Sequence, residues 1–240
     1  LHRLSLINYK NIAAADLEFS PKINCLIGKN GEGKTNVLDA IYYMSFCHSA
    51  TSMLDALTVR HDEEYMVAVG NYSDEDGKKY EISCGVKQHK SKKFALNKKA
   101  YKRLADHIGL IPLVMVSPND GELVTGGGEA RRKFMDIVIS QYDRLYLDSL
   151  IKYNRALKQR NAILRADAEP DASMLDIYEE EMAAEGEKIF MARSVLTEKL
   201  TPLFQKYYSL ISDRVSLMFR IVREVRCLKS YVADAQRTGL

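Results

Sequence analysis

Apolar and polar positions change their spacing several times near the start of the chain. Residues 4–7 and 15–19 alternate between the two kinds, as half-buried antiparallel strands do. The short apolar run at residues 23–27 predicts a buried strand. After a glycine-rich segment, residues 36–46 carry apolar side chains at helical spacing. The pattern therefore predicts two antiparallel strands, followed by a strand, a glycine loop and a helix.

The middle of the chain continues with strand patterns. Residues 65–72 and 79–86 alternate again, and Gly77 lies in the turn between them. We expect a short helix at residues 101–108, and the apolar run at 111–116 predicts a further strand. Together these elements complete an α/β unit.

The pattern changes after Pro118. Apolar residues then fall near helical spacing over residues 129–165 and again over 174–211, which predicts a hairpin of two long helices. We therefore predict an α/β lobe at residues 1–117 and a helical lobe at residues 118–240.

Composition excludes several functional classes. Of the 240 residues 46% are hydrophobic and 28% charged, and no apolar stretch approaches the roughly 20 residues that a membrane helix needs. We therefore expect a cytoplasmic protein with no membrane partner. The four cysteines lie far apart, and the five histidines do not fall beside them at metal-ligand spacing, so free thiols are expected.

The net charge is only +3, but basic residues are concentrated at residues 87–103, where no acidic residue occurs. Such a block binds nucleic-acid phosphates without reading base sequence, and Phe94 and Tyr101 are candidates for stacking on exposed bases. The alternative is a hairpin whose charges are simply solvated. The candidate DNA-binding residues are Lys90, Lys92, Lys93, Lys98, Lys99, Lys102 and Arg103.

The glycine-rich segment at residues 28–35 satisfies the phosphate-loop pattern G-x-x-x-x-G-K-[ST]. Its glycines allow a bend that points backbone N–H groups at phosphate oxygens beside a helix N-terminus. Lys34 supplies a cation for the β- and γ-phosphates, and the Thr35 hydroxyl is a candidate Mg²⁺ ligand. The predicted nucleotide-binding residues here are Gly28, Lys29, Asn30, Gly31, Glu32, Gly33, Lys34, Thr35 and Asn36.

The loop alone does not choose between a kinase, a GTPase, a transporter subunit and a DNA-repair ATPase. Two alternating strands before the loop favour the ATPases in which an antiparallel sheet adjoins the nucleotide. Hydrolysis in that class needs a carboxylate at the end of an apolar strand and a Ser-Gly-Gly type signature. Residues 125–129 only imitate the signature and are expected to start a helix, and no strand ends in the required acids.

Four separated blocks resemble the bacterial RecF family of DNA repair proteins, which are relatives of the SMC-type ATPases. They are residues 4–11, 28–41, 117–136 and 153–161. The second contains the asparagine-bearing phosphate loop of the SMC and RecF group, and the last two are the most discriminating. In the first block, Lys10 stands where the family usually has Arg.

The resemblance implies a fold and a function. The fold is an α/β P-loop lobe of the ABC/SMC type, with antiparallel strands beside the nucleotide site and a helical lobe after it. The function is an ATP-dependent homodimer that binds single-stranded and double-stranded DNA at gaps. With RecO and RecR, it supports RecA loading and the SOS response at the bacterial nucleoid. Lys10 and Asn11 resemble positions near the adenine or ribose.

Family members run further and carry the signature and the magnesium-binding acids beyond the region seen here. We therefore expect this chain to bind ATP with Mg²⁺ without hydrolysing it competently. Two alternatives remain: an SMC-type ATP-driven structural clamp, which needs longer coiled-coil helices, and a small-molecule P-loop kinase, which needs a lid and a catalytic acid.

Overall fold

The computed structural model describes residues 1–52, 54–88, 90, 92–166 and 172–211, and the side chain of Asn119 is excepted. The chain divides into two compact units, the first ending at Ser117 and the second beginning at Pro118. Each unit has its own hydrophobic cluster.

The first unit is built on an antiparallel sheet of six strands. In chain order they are β1 (Arg3–Tyr9), β2 (Ile12–Glu18), β3 (Tyr65–Ser73), β4 (Lys79–Lys87), β5 (Lys93–Leu96) and β6 (Lys99–Ala100). Their spatial order is β2-β1-β3-β4-β5-β6, and every neighbouring pair is antiparallel. The predicted strand pairs at 4–7 with 15–19 and at 65–72 with 79–86 are confirmed.

Helix α1 (Lys34–Phe46) packs on one face of this sheet. The alternation in the strands is the cause, because side chains on one side of the pleat are all apolar. Leu6, Ala68 and Cys84 are buried on that face, and Tyr43 and Met44 of the helix meet them in the same cluster. The sheet and helix thereby fix the position of the glycine loop, since the loop leads directly into α1.

Two predicted strands are wrong. Residues 23–27 and 111–116 pair with no strand in the described part of the chain. About half of their apolar side chains are largely exposed, with Ile27 at 93% and Val114 at 85%, whereas Leu26 and Ile111 pack against the hydrophobic cluster of the unit. An apolar run becomes a strand only where another strand takes up its backbone hydrogen bonds, and no described strand does so here.

The second unit is helical in its described part. It contains α2 (Glu122–Thr125), α3 (Gly128–Ser140), α4 (Arg144–Arg165) and α5 (Ala172–Tyr208). The helix predicted at 129–165 is therefore two helices. The break has a local cause, because the Asp143 carboxylate accepts a hydrogen bond from the Tyr146 backbone N–H at 2.9 Å and caps α4. Residues 212–240 of the predicted helical lobe lie outside the described residues.

Ion pairs and a partly buried polar cluster join the helices of this unit. Arg155 pairs with Glu181 and Arg160 with Glu179, which fastens α4 to α5. Asp136 of α3 accepts hydrogen bonds from the Tyr146 hydroxyl and from the Arg193 guanidinium, which lies 2.7 Å away. One carboxylate therefore connects three helices.

Candidate nucleotide site

The phosphate loop runs into the first turn of α1. Gly31 and Gly33 have φ of +87° and +93°, a region that residues with a side chain rarely adopt. A Cβ atom added at Gly33 would lie 2.9 Å from Asn11 Oδ1. The backbone angle therefore favours glycine at position 33, and the Asn11 amide lies close against it.

Lys34 and Glu32 make their contacts within the loop itself. The Lys34 ammonium donates hydrogen bonds to the backbone oxygens of Gly28 and Lys29, at 2.7 and 2.6 Å. The Glu32 carboxylate accepts a hydrogen bond from the Lys29 backbone N–H at 2.8 Å. In this structure the Lys34 ammonium is therefore held by backbone oxygens of the loop, and one loop N–H group is bound to a carboxylate oxygen.

Thr35 and Asn36 follow Lys34 on α1. Thr35 is exposed, so its hydroxyl is accessible to a ligand. Asn36 instead donates a hydrogen bond to Asn11 Oδ1 at 2.7 Å, and Asn11 donates one to the backbone oxygen of Gly31 at 2.6 Å. Asn30 and Gly28 are exposed on the loop. The predicted loop residues thus lie together, and Asn11 joins them from the β1–β2 turn.

Lys10 forms its polar contacts within the first unit. Its ammonium group lies 2.5 Å from the Asp39 carboxylate and donates hydrogen bonds to the hydroxyls of Ser49 and Thr51, and its side chain is only 11% exposed. The sequence does not show that Lys10 and Asp39 meet, because that contact depends on the tertiary fold. The expected contact of Lys10 with adenine or ribose stays a prediction.

Asp39 is the centre of a buried polar cluster, which we call the Asp39 cluster: Tyr9, Lys10, Asp39, Ser49 and Ala50. The Tyr9 hydroxyl, the Ser49 hydroxyl and the Ala50 backbone N–H donate to its carboxylate at 2.7 to 3.0 Å. Desolvation raises the pKa of Asp39, but hydrogen bonds from Lys10, Tyr9 and Ser49 outweigh it and hold the pKa below its usual value. The Asp39 cluster fastens the β1–β2 turn to the helix that carries the loop.

A sequence signal for Asp39 is present. Asp39 lies four residues before Tyr43 in α1, so the two share the side of the helix that packs against the sheet. A carboxylate at such a position requires buried partners. Which residues supply them depends on the tertiary fold, because Tyr9 and Ser49 are 30 and 10 residues away.

The basic block contributes both to the core and to the surface. Lys92 forms an ion pair with Asp55 at 2.8 Å and donates to the Cys47 backbone oxygen, so its charge is used inside the lobe. Phe94 is 1% exposed in the core, so the suggestion that it stacks on bases is wrong. The exposed candidates on or near the β5–β6 hairpin are Lys90, Lys93, Lys98, Lys99, Lys102 and Arg103.

The glycines at 126–128 do not form a signature loop. Arg131 donates to the backbone oxygens of Leu123 and Gly126, and α3 begins at Gly128. The expected helix start is confirmed.

In the described residues no group of three or more His, Cys, Asp or Glu side chains is arranged to hold a metal ion. None of the described helices is long and apolar enough to cross a membrane.

These features define a P-loop nucleotide-binding lobe with an antiparallel sheet beside the loop. The family model described as RecF/RecN/SMC N terminal domain matches residues 1–199. The chain therefore belongs to the RecF/RecN/SMC family.

Within that family the chain is similar to RecF proteins, which confirms the resemblance found in the sequence. "DNA replication and repair protein RecF" of Phocaeicola vulgatus is 53% identical over 222 residues, covering 91% of this chain and 60% of that protein. The RecF of Bacteroides fragilis strain ATCC 25285 is 50% identical over 213 residues, covering 89% of this chain and 58% of that protein. This chain thus spans about three fifths of the curated relatives it matches.

Solved structures agree on the fold. A structure of the recombination mediator protein RecF–ATP in the RecFOR pathway superposes with a TM-score of 0.84 at 28% identity, covering 98% of this chain and 68% of that one. The corresponding RecF–ATPrS structure gives 0.87 at 28% identity, covering 98% and 67%. The predicted fold class, an α/β P-loop lobe followed by a helical lobe, is confirmed.

Proposed function

We propose that this chain supplies the ATP-binding part of a RecF-type DNA replication and repair protein. The observation that carries the proposal is the Lys34 ammonium at the start of α1, directed into a loop whose glycines have left-handed backbone angles. A helix N-terminus, backbone N–H groups and a lysine together attract a triphosphate. RecF relatives at about 50% identity, and a RecF–ATP structure with the same fold, support ATP as the nucleotide.

Mg²⁺ fits the residues present. The exposed Thr35 hydroxyl is a hard oxygen donor next to Lys34, and Mg²⁺ in such sites is held by one or two protein oxygens and by the substrate phosphates. When bound, the ion would neutralise phosphate charge. Lys34 would hold the β- and γ-phosphates, and the loop N–H groups would orient them.

DNA is the proposed macromolecular partner. The exposed lysines of the β5–β6 hairpin present a cluster of positive charge suited to phosphates of single-stranded or double-stranded DNA. The proposed form of the protein is an ATP-dependent homodimer acting at DNA gaps, and the name of the relatives, DNA replication and repair protein RecF, supports DNA as its partner. The same proposal includes cooperation with RecO and RecR in loading RecA. It also includes a location at the bacterial nucleoid in the cytoplasm. The SMC-type clamp and the small-molecule kinase remain alternatives to it.

Nucleotide binding is tested by Lys34→Ala. We expect ATP affinity to fall about tenfold or more, since a charge-assisted contact with the phosphates is removed. The circular dichroism spectrum and urea midpoint should match those of the parent, because the hydrophobic cluster of the lobe does not include this side chain. Titration of a fluorescent ATP analogue measures the affinity. Unchanged affinity would remove the assignment, and a GTP preference or binding of a small phosphate acceptor would favour another class of P-loop protein.

DNA binding is tested by the double variant Lys98→Glu/Lys99→Glu. Its matched control is Lys78→Glu/Lys79→Glu, which makes the same charge change at two exposed residues, the last of the β3–β4 turn and the first of β4. Affinity for a gapped duplex would be measured with ATP, with ADP and without nucleotide at several salt concentrations. We expect only the first variant to weaken DNA binding. In that variant the slope of log affinity against log salt concentration should become shallower by about 0.9 for each phosphate that the protein ceases to neutralise. Equal effects of both variants would move the DNA surface elsewhere.

A further inference from the structure

We propose that Asn11 is a positioning residue that holds the phosphate loop in its conformation through hydrogen bonds, and that it is not itself a nucleotide ligand. The inference rests on the proposed function and refines it. It concerns the amide of one side chain in the β1–β2 turn, 20 residues before Gly31 in sequence.

Both ends of the Asn11 amide are used. Its nitrogen donates to the Gly31 backbone oxygen at 2.6 Å, and its oxygen accepts from Asn36 Nδ2 at 2.7 Å. The Gly31 contact lies within the loop, and the Asn36 contact lies on the first turn of α1. The Asn11 side chain therefore connects the loop to the helix on which phosphate binding depends.

The Asn11 oxygen also lies against the loop backbone. It is 2.9 Å from the position that a Cβ of Gly33 would take, so loop and amide are in close contact at two glycines. Gly31 and Gly33 have left-handed backbone angles, and an unrestrained glycine populates many other conformations as well. The Asn11 amide is placed to hold these two glycines in the binding conformation.

The turn that carries Asn11 is itself anchored. Tyr9 and Lys10 both bind the buried Asp39 carboxylate, and the Lys10 backbone N–H donates to the Thr58 backbone oxygen at 2.8 Å. A side chain on an anchored turn can restrain a loop, whereas one on a mobile turn would move with it. The Asp39 cluster thus supports the loop through Asn11.

Asn11→Ala separates positioning from direct contact. The loop would lose its restraint, so the cost of ordering it would be added to the binding of any triphosphate. We expect ATP and inorganic triphosphate, each with Mg²⁺, to bind about five- to twentyfold more weakly and to the same extent. A direct contact with adenine or ribose would instead weaken ATP and leave inorganic triphosphate unchanged, which would overturn the proposal.

The matched control is Asn24→Ala. The Asn24 amide also uses both ends, accepting from the Ser20 backbone N–H at 2.8 Å and donating to the Ser20 backbone oxygen at 3.0 Å, but it lies in a different turn. We expect Asn24→Ala to leave both affinities unchanged. An equal loss in both variants would indicate general damage to the lobe and would also overturn the proposal.

Asn36→Ala adds a second test on the same hydrogen bond. It should reproduce part of the Asn11→Ala loss of affinity. In the double variant the loss should be smaller than the sum of the two single losses, since the two residues share one hydrogen bond. Strictly additive losses would mean that the two amides act separately, which would contradict the proposed connection between loop and helix.

Hydrogen exchange without nucleotide tests the restraint independently of any ligand. Exchange at residues 29–34 should be faster in Asn11→Ala than in the parent, but not in Asn24→Ala. This measurement separates the two proposals. If the parent chain failed to bind ATP, the proposed function would fall, whereas unchanged exchange in Asn11→Ala would remove the role of Asn11.

Discussion

Asp39 in the first unit and Asp136 in the second have the same kinds of partner, a tyrosine hydroxyl and a basic side chain. Asp39 binds Tyr9 and Lys10, whereas Asp136 binds Tyr146 and Arg193. The two differ in burial, since the Asp39 side chain is fully buried and that of Asp136 is 21% exposed.

The location of each cluster decides what it contributes. The Asp136 contacts join α3, α4 and α5, so their role is to hold helices together. The Asp39 cluster joins the turn bearing Asn11 to the helix bearing Lys34. If Asn11 has the role proposed above, the same chemical grouping is structural in one unit and supports nucleotide binding in the other.

Removing the carboxylates should give the largest effects. Asp39→Ala leaves the Lys10 ammonium and the Tyr9 hydroxyl buried without their acceptor, so we expect the free energy of unfolding to fall by about 3–5 kcal/mol. Asp136→Ala should cost only about 1–2 kcal/mol, because Asp136 and Arg193 are both partly exposed, with 21% and 17% of their side chains accessible. Urea denaturation of both variants measures the difference, and equal losses would show that burial does not distinguish the clusters.

Removing the cations should have the next largest effects. Lys10→Met leaves a buried carboxylate that still accepts from Tyr9 and Ser49, and we expect a loss of about 2–4 kcal/mol at neutral pH. Arg193→Met should cost less, because the Asp136 carboxylate is partly hydrated. Both losses of stability are measured from the urea midpoints, with the slope of unfolding free energy against urea concentration held equal to that of the parent. A larger loss for Arg193→Met would reverse the ranking of the two clusters.

The acid dependence of stability should reveal Asp39 directly. Its pKa is lowered in the folded state, so the unfolded chain binds a proton more readily. The stabilisation is fully present above the unfolded pKa of about 3.9 and is lost as the pH falls through the lower folded pKa. Asp39→Asn should therefore lose stability less steeply than the parent between about pH 4.5 and 2.5. Parallel curves would contradict this assignment.

Removing the tyrosine hydroxyls should give the smallest effects. Tyr9→Phe and Tyr146→Phe each remove the hydrogen bond that the hydroxyl donates to its carboxylate and keep the ring, which costs about 1 kcal/mol. Tyr146→Phe also removes the 3.1 Å hydrogen bond that its hydroxyl accepts from Arg193, but that guanidinium keeps its contact with Asp136. We expect Tyr9→Phe to cost more, since the Asp39 carboxylate is the less hydrated acceptor. Thermal unfolding of the pair provides the comparison, and a neutral Tyr9→Phe would mean that Lys10 and Ser49 alone satisfy Asp39.

Much of the fold can be predicted because its periodicities are local. Alternation locates the paired strands of the sheet, and the glycine–lysine–threonine pattern locates the loop and α1. Residues 23–27 and 111–116 mislead because an apolar run carries no information about whether a pairing strand is present. The break at Asp143 escapes the periodicity because a single capping side chain decides it.

Only part of the candidate site can be predicted from the sequence. The loop residues follow from a contiguous motif, but the partners of Lys10 and Lys92 do not. Each lysine pairs with an aspartate at least 29 residues away, Lys10 with Asp39 and Lys92 with Asp55. The sequence predicts that Lys10 lies near the nucleotide and that Lys92 binds DNA. The tertiary fold instead pairs both lysines with aspartates inside the lobe.

The exposed apolar segments at 23–27 and 111–116 have a practical consequence for work with this chain. Ile23, Ile27, Val114 and Val116 each expose more than four fifths of their surface. Apolar surface of this kind favours association between molecules, because contact removes it from water. In concentrated solution the purified chain should therefore self-associate, so titrations of nucleotide or DNA call for dilute protein and a light-scattering check.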